Sequence, residues 1–424
     1  MVVGIIIGAS IFVQPSEITS RMGTVGGVFL VWAVAGLLTV AGALVCAELA
    51  SAYPRSGGVY VFLREAFSPA LGFLWGWAMF WTMHSGIVAV ISFVFARYVG
   101  YFVPLDDIGL KAVAITAIAA LSAINYVGVR QGSALQTSFT FVKVLAVVLI
   151  IAAGFALGGN LPHFVPAASP PPPSASGFLL ALVAGLFTFG GWHMVTYAAE
   201  ETVDPTRTIP TALLIGTLIV TACYMGMNAV YLYLMPLDVV ARSTRIAADA
   251  AETVLGPGRA GLISLLVLFS SFGALGGVIL AGPRVYYAMA EDGLLFRWFG
   301  AVHPRFGTPH RAIVAQGLWS AVLVATGTFS ILLNRVVYTE WIFFGLLAVA
   351  IFVLRRRPGY AARYHVWGFP VVPALFSLSC AAIVVNQVIS KPAESAFGLG
   401  LVAVGLPVYW IWGKKTGRRQ TVGS

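Results

Sequence analysis

The chain is 424 residues long, 59% hydrophobic and 9% charged, and its mean hydropathy of +0.92 excludes an ordinary soluble domain. A net charge of +10 would suggest a nucleic-acid partner in a soluble protein, but here the basic residues are dispersed over short connections and report topology first. Cys46, Cys223 and Cys380 lie scattered in apolar runs without metal or disulfide spacing, and read as small core residues.

Apolar runs of spanning length fall at 2–18, 25–50, 69–100, 110–128, 136–158, 176–199, 211–235, 259–290, 311–333, 337–354, 369–389 and 396–412. The twelve runs predict an all-α, multi-pass protein of the cell membrane with both termini on one side. Connections after even-numbered runs, with the C-terminus, hold fifteen Lys and Arg, against seven in the opposite connections, so the positive-inside rule puts both termini in the cytoplasm. No cleavable leader is evident.

The first run, Gly4 to Pro15, is interrupted by Gly4, Gly8, Ala9 and Ser10, and Pro15 cannot continue a helical ladder. Seven residues precede Gly8, about 10 Å of helix, too little for a half-span with an anchor. The biological chain is therefore expected to begin upstream of Met1.

After the second run, Pro54, Gly57 and Gly58 stop one helix, and Val59, Tyr60, Phe62, Leu63 and Phe67 predict a short helix along the inner membrane face, with a plain loop as the alternative. Lys143 sits inside the fifth run, where a basic side chain at helix centre costs roughly 2.5–3.5 kcal/mol on insertion scales. It needs a partner, a purpose, or an escape by snorkelling to the inner interface. Pro170 to Pro173 read as a stiff connector.

The sixth run carries a second interruption. Gly190-Gly191 falls within apolar sequence, flanked by Phe187, Phe189, Trp192, His193 and Tyr197, and a charged exit follows at Glu200, Glu201, Asp204 and Arg207. Backbone groups freed there cannot be left facing lipid, so a break implies a polar cavity or a ligand. A kinked packing helix with glycines at a close contact is the bland alternative. Two interrupted spans, one first and one midway, point to a transporter site built from discontinuous helices. Further on, Ile246, Ala247, Ala250, Ala251, Val254 and Leu255 predict an amphipathic helix over the outer mouth. Glu48 reads as packing at the inner end of span two, and His84 and Asn125 as polar groups satisfied by neighbouring helices. No nucleophile with a base, paired catalytic carboxylates, phosphate loop or metal spacing is present, so neither an enzyme, a cofactor nor a metal is expected.

Four stretches, Gly4 to Phe12, Ala47 to Trp77, Gly185 to Pro210 and Ser270 to Leu295, resemble the amino acid-polyamine-organocation superfamily and, within it, the L-type amino acid transporter branch. The resemblance implies a leucine-transporter-type fold. Residues 1–158 (spans one to five) and 176–354 (spans six to ten) would be inverted repeats, followed by two spans in 369–412 and a cytoplasmic tail, 413–424. It implies a substrate carboxylate surrounded by Gly8, Ala9, Ser10 and Ile11. The amino group would be held by Phe189, Gly190 and Trp192, with Gly191 and His193 beside them and Phe187 as an aromatic gate. Half-helix ends support that division, because N-termini present free N–H groups and C-termini free carbonyls. Lys143 would lie beside the first break and the hydroxyls of Ser270 and Ser271, as a fixed substitute for sodium or as a proton carrier. Glu200, Glu201, Asp204 and Arg207 would form an inner-gate network.

The sequence departs from the branch at Ser10, commonly glycine, and at His193, commonly Asn or Asp. The expectation is a secondary amino acid transporter working by alternating access, as an exchanger or coupled to protons. Its partners would be a small amino acid and the bilayer, with no nucleic acid; an accessory subunit or oligomer stays open. A non-transporting amino acid sensor is one rival. An amine or polyamine carrier is another, and would need an acidic side chain near the breaks; 4–12 and 187–193 contain none.

Overall fold

A computed structural model describes residues 2–8, 10–128, 130–159, 164–167 and 174–411, apart from the side chains of 130–139, 142 and 334. Ala9 and the 170–173 connector thus lie outside the described residues, as does the tail. The helices are α1 (Val2–Ile6), α2 (Gln14–Met22), α3 (Val25–Ala52), α4 (Val59–Ala66), α5 (Pro69–Ala78), α6 (His84–Val99), α7 (Asp107–Val127), α8 (Arg130–Leu157) and α9 (Ala175–Thr188). After a 3-10 segment, Trp192–Glu201, come α10 (Pro205–Leu234), α11 (Leu237–Arg242), α12 (Ile246–Leu255), α13 (Gly261–Glu291), α14 (His310–Thr326), α15 (Phe329–Leu354), α16 (Val371–Ser390) and α17 (Pro392–Ala403). No strand occurs among the described residues.

Nine helical spans among the described residues are long and apolar enough to cross a membrane. The other three expected runs are the broken opening segment, α8, whose apolar helix is Lys143–Leu157, and α14, which is 17 residues long. Within its most apolar stretch the α5–α6 span is 83% buried and the Pro392–Ile411 span 17%, placing the first at the bundle's centre and the second at its lipid-facing rim. A five-residue π-helical turn, Met79–Met83, joins α5 to α6. α10 lies along α3, α13 along α6, α15 along α16 and α2 along α9, while α1 meets α8, α10, α13 and the 3-10 segment.

The short helix expected after span two is α4. Its entry is tight: a Cβ on Gly58, whose φ is +51°, would come 2.1 Å from Thr196 Oγ1, so only glycine lets this turn meet the 3-10 segment. The amphipathic helix expected in the long connection is α12, with Ile246, Ala247, Ala248 and Ala250 buried. One boundary is corrected. The ninth expected run, α14, stops at Thr326, and Thr328 caps α15 by accepting from Ile331 N–H, so the tenth begins at Phe329 rather than 337. Arg335, which falls between the expected runs 311–333 and 337–354 and so reads as a connection residue, lies inside α15 with its guanidinium 4.3 Å from the Phe397 ring centroid.

Candidate functional site

The first break is defined by a hydrogen bond that goes astray. In a continuing helix Gly8 N–H would reach back four residues to Gly4 O; it bonds Ile6 O at 2.6 Å instead. The carbonyl left over at Gly4 accepts from Lys143 Nζ at 3.3 Å. Lys143 is buried, so its ammonium is spent on this carbonyl and does not snorkel. Beyond the break, Ser10–Phe12 makes one tight turn, Val13 is extended in φ (−139°), and α2 starts with Pro15 in its first turn.

The second break follows α9. Gly190 N–H reaches only three residues back, to Phe187 O at 2.9 Å, and Gly191 takes φ +95° before the chain resumes as a 3-10 helix. A Cβ on Gly191 would lie 2.7 Å from Ile5 Cγ2, so the two breaks touch at a position that excludes a side chain. Tyr224 of α10 joins them: its hydroxyl is 2.7 Å from Ile6 O and 3.1 Å from Thr188 O. Behind it, Phe189 packs on Tyr224 and Trp32, with centroids 5.0 and 6.1 Å away.

Between the breaks lies a cavity of about 30 Å³, room for about one water. Gly8 and Ser10 border it from the first break, and Phe187, Gly190 and Gly191 from the second. Ile87, Ile91 and Val278 complete an apolar wall, and Glu340 of α15 places a carboxylate on it. Glu340 is 5% exposed, and its Oε1 is 3.5 Å from His193 Nε2. His193 is enclosed by the rings of Trp75, Trp192, Tyr197 and Phe344, at centroid distances of 4.9–5.9 Å. Its Nδ1 has no hydrogen-bond partner among the described residues.

The expected site residues are therefore distributed unevenly. Gly8, Ser10, Phe187, Gly190 and Gly191 share the cavity, and His193 stands one contact behind it. Ile11 is buried away from the cavity, and the side chains of Phe189 and Trp192 turn from it, Trp192 toward Phe344 at 4.9 Å. Lys143 bonds the first segment, but neither expected hydroxyl answers it: Ser271 donates to Leu268 O in its own helix at 3.0 Å, and Ser270 Oγ is buried without a described partner.

The ion pairs of the charged exit run outward, to other elements. Glu201 takes a bidentate pair from Arg284 of α13 at 2.9 and 3.0 Å, and Asp204 faces Arg363 at 3.7 Å. Glu200 and Arg207 are exposed, and no ion pair joins the four to one another among the described residues.

A denser network lies at Glu48. Its carboxylate accepts from Arg355 Nε and Nη2 at 2.8 and 2.7 Å, Tyr360 Oη at 3.1 Å and Val366 N–H at 2.6 Å. On the same connection side, Asp292 accepts from Arg64 and, at 2.7 Å, from Tyr60 Oη. Burial, then the Asp292 carboxylate, push the Tyr60 phenol well above its ordinary pKa, keeping it a donor.

Sequence reasoning missed Glu340 and Tyr224. Glu340 had a signal: it is the one acidic residue of an otherwise apolar run, where insertion is unfavourable. Tyr224 had none, since a tyrosine in an apolar helix is ordinary until its hydroxyl is seen to find a break.

The sequence pattern of the amino acid permease family matches residues 1–409. The chain is 31% identical over 419 residues to human b(0,+)-type amino acid transporter 1, covering 97% of this chain and 86% of the relative. With the human cystine/glutamate transporter it shares 29% over 425 residues, covering 98% and 84%. With rabbit large neutral amino acids transporter small subunit 2 it shares 30% over 424 residues, covering 97% and 78%.

Proposed function

Because this chain belongs to the amino acid permease family, in the L-type amino acid transporter branch of the amino acid-polyamine-organocation superfamily, we propose that it carries amino acids by alternating access between its two broken spans. The observation that carries this reading is the contact of the two breaks around one small cavity, with the carbonyl freed at the first break held by a buried ammonium. The backbone at Gly8 and Ser10 takes the substrate carboxylate, and carbonyls around Phe187 to Gly191 take the amino group. No charged side chain is needed for either end of a zwitterion there. The cavity as it stands is too small for an amino acid, so loading requires its lining to move; Phe187 and Met194 are its largest rotatable members.

The twelve apolar runs of the sequence support twelve spans, and we take 1–158 and 176–354 as inverted repeats, with 369–412 adding two more. The distribution of Lys and Arg supports cytoplasmic termini in a cell-membrane protein, with 413–424 as an inner tail. One relative is named a small subunit, which supports looking for a second subunit here. Lys143 acts as a fixed ammonium in place of a sodium ion, and exchange is the mode.

The test is uptake of a radiolabelled amino acid panel into proteoliposomes, with and without internal substrate and with and without a proton gradient. Uptake that needs internal amino acid is the expected result. Uptake driven by the gradient into empty liposomes would replace exchange with proton coupling, and binding without any flux would make the protein a sensor.

A further inference from the structure

Glu340 is out of balance with its surroundings. A buried carboxylate within a membrane span is unfavourable unless a partner at hydrogen-bond distance compensates it. His193 Nε2, at 3.5 Å, is longer than the roughly 2.7–2.9 Å of a charge-assisted hydrogen bond. The cavity wall that Glu340 shares is mostly apolar, with Ile5, Ile87, Ile91, Met194 and Val278, and Ser10 and Thr188 bring its hydroxyls. The two breaks already neutralise both ends of a zwitterion with backbone dipoles, so a neutral amino acid would leave Glu340 still unmatched. A substrate that brings a third, positive group would match it.

We propose that Glu340 makes this cavity select amino acids with a cationic side chain, and that His193 is the resident neighbour which the substrate's cation displaces. The inference rests on the amino acid-carrier reading above and assigns its substrate class. Side chains of the lysine and arginine type carry an apolar stem and a charged head, which fits an isoleucine-lined wall ending in a carboxylate.

The experiment compares matched pairs on the full chain in proteoliposomes: arginine against citrulline, and lysine against norleucine, each as a competitor of labelled uptake and as a stabiliser in thermal melting. In the native protein each cation should act at concentrations about tenfold or more below its uncharged counterpart, and that ratio should collapse in Glu340→Gln. Equal or weaker action of the cations on the native protein overturns the proposal without any variant. A folded Glu340→Gln that keeps the ratio also overturns it, because another group must then read the charge. Cadaverine replacing lysine would show that the substrate carboxylate is not recognised, and the amino acid class would fall. If no amino acid of either kind acts, the carrier reading itself fails, and this inference with it.

Discussion

Glu48 and Glu340 are both buried carboxylates, yet the first accepts four hydrogen bonds of 2.6–3.1 Å, whereas the second's ion-pair partner among the described residues, His193, stands 3.5 Å away. The difference separates anchoring from readiness. Glu48 ties the end of α3 to residues 355–366, the connection leaving α15, while Glu340 sits mid-way along α15 beside a cavity. One helix is thus clamped at its end and left electrostatically open in its middle. Burial alone does not mark a working residue; a buried polar group whose hydrogen bonds are incomplete does.

The comparison breaks most sharply at Glu48. Glu48→Ala should strand the Arg355 guanidinium, the Tyr360 hydroxyl and the Val366 amide, and cost about 3–5 kcal/mol as the loss of one member of a buried pair. Thermal unfolding of the purified protein reads this directly; an unchanged midpoint would remove Glu48 as an anchor. Gly191→Ala comes next, because φ +95° and a Cβ 2.7 Å from Ile5 Cγ2 disfavour any side chain by about 1–3 kcal/mol. Its melting point should fall less than that of Glu48→Ala while its uptake falls further, and normal uptake would take the break contact out of the mechanism.

Lys143→Ala should stop both net uptake and exchange with a modest loss of stability, since the Gly4 carbonyl is left without its donor. Exchange surviving without net uptake would recast the lysine as a proton carrier, and native rates for both would leave it a packing role. The smallest effect belongs to Glu201→Gln. Its side chain is 58% exposed, so the Arg284 pair is worth under about 1 kcal/mol, and a melting shift comparable to that of Glu48→Ala would mean the charged exit is an anchor too.

Much of this organisation could be read from the residues because it depends on local rules. Glycines inside apolar runs marked both breaks, and helical spacing marked α4 and α12. The boundary between α14 and α15 was hidden because hydropathy continues across it; the Thr328 cap locates it, and Arg335 misled because its guanidinium lies against the Phe397 ring from within the helix. Glu340 was hidden by averaging, since one carboxylate barely lowers the hydropathy of a long run. Which carbonyl Lys143 would meet depends on the hydrogen bond between Gly8 and Ile6, a non-local packing outcome that no spacing encodes.

Tyr224 has one proton and two carbonyls within reach, at 2.7 and 3.1 Å. A single donor before two acceptors works as a hand-over point. If Ile6 withdraws as Thr188 advances, the proton changes carbonyl, and at no stage does the hydroxyl stand unbonded in an apolar interior. Small relative sliding of the two interrupted helices therefore leaves the hydroxyl a partner, whereas pulling both away together strands it. The phenol thus ties both broken spans to α10 at the edge of the cavity.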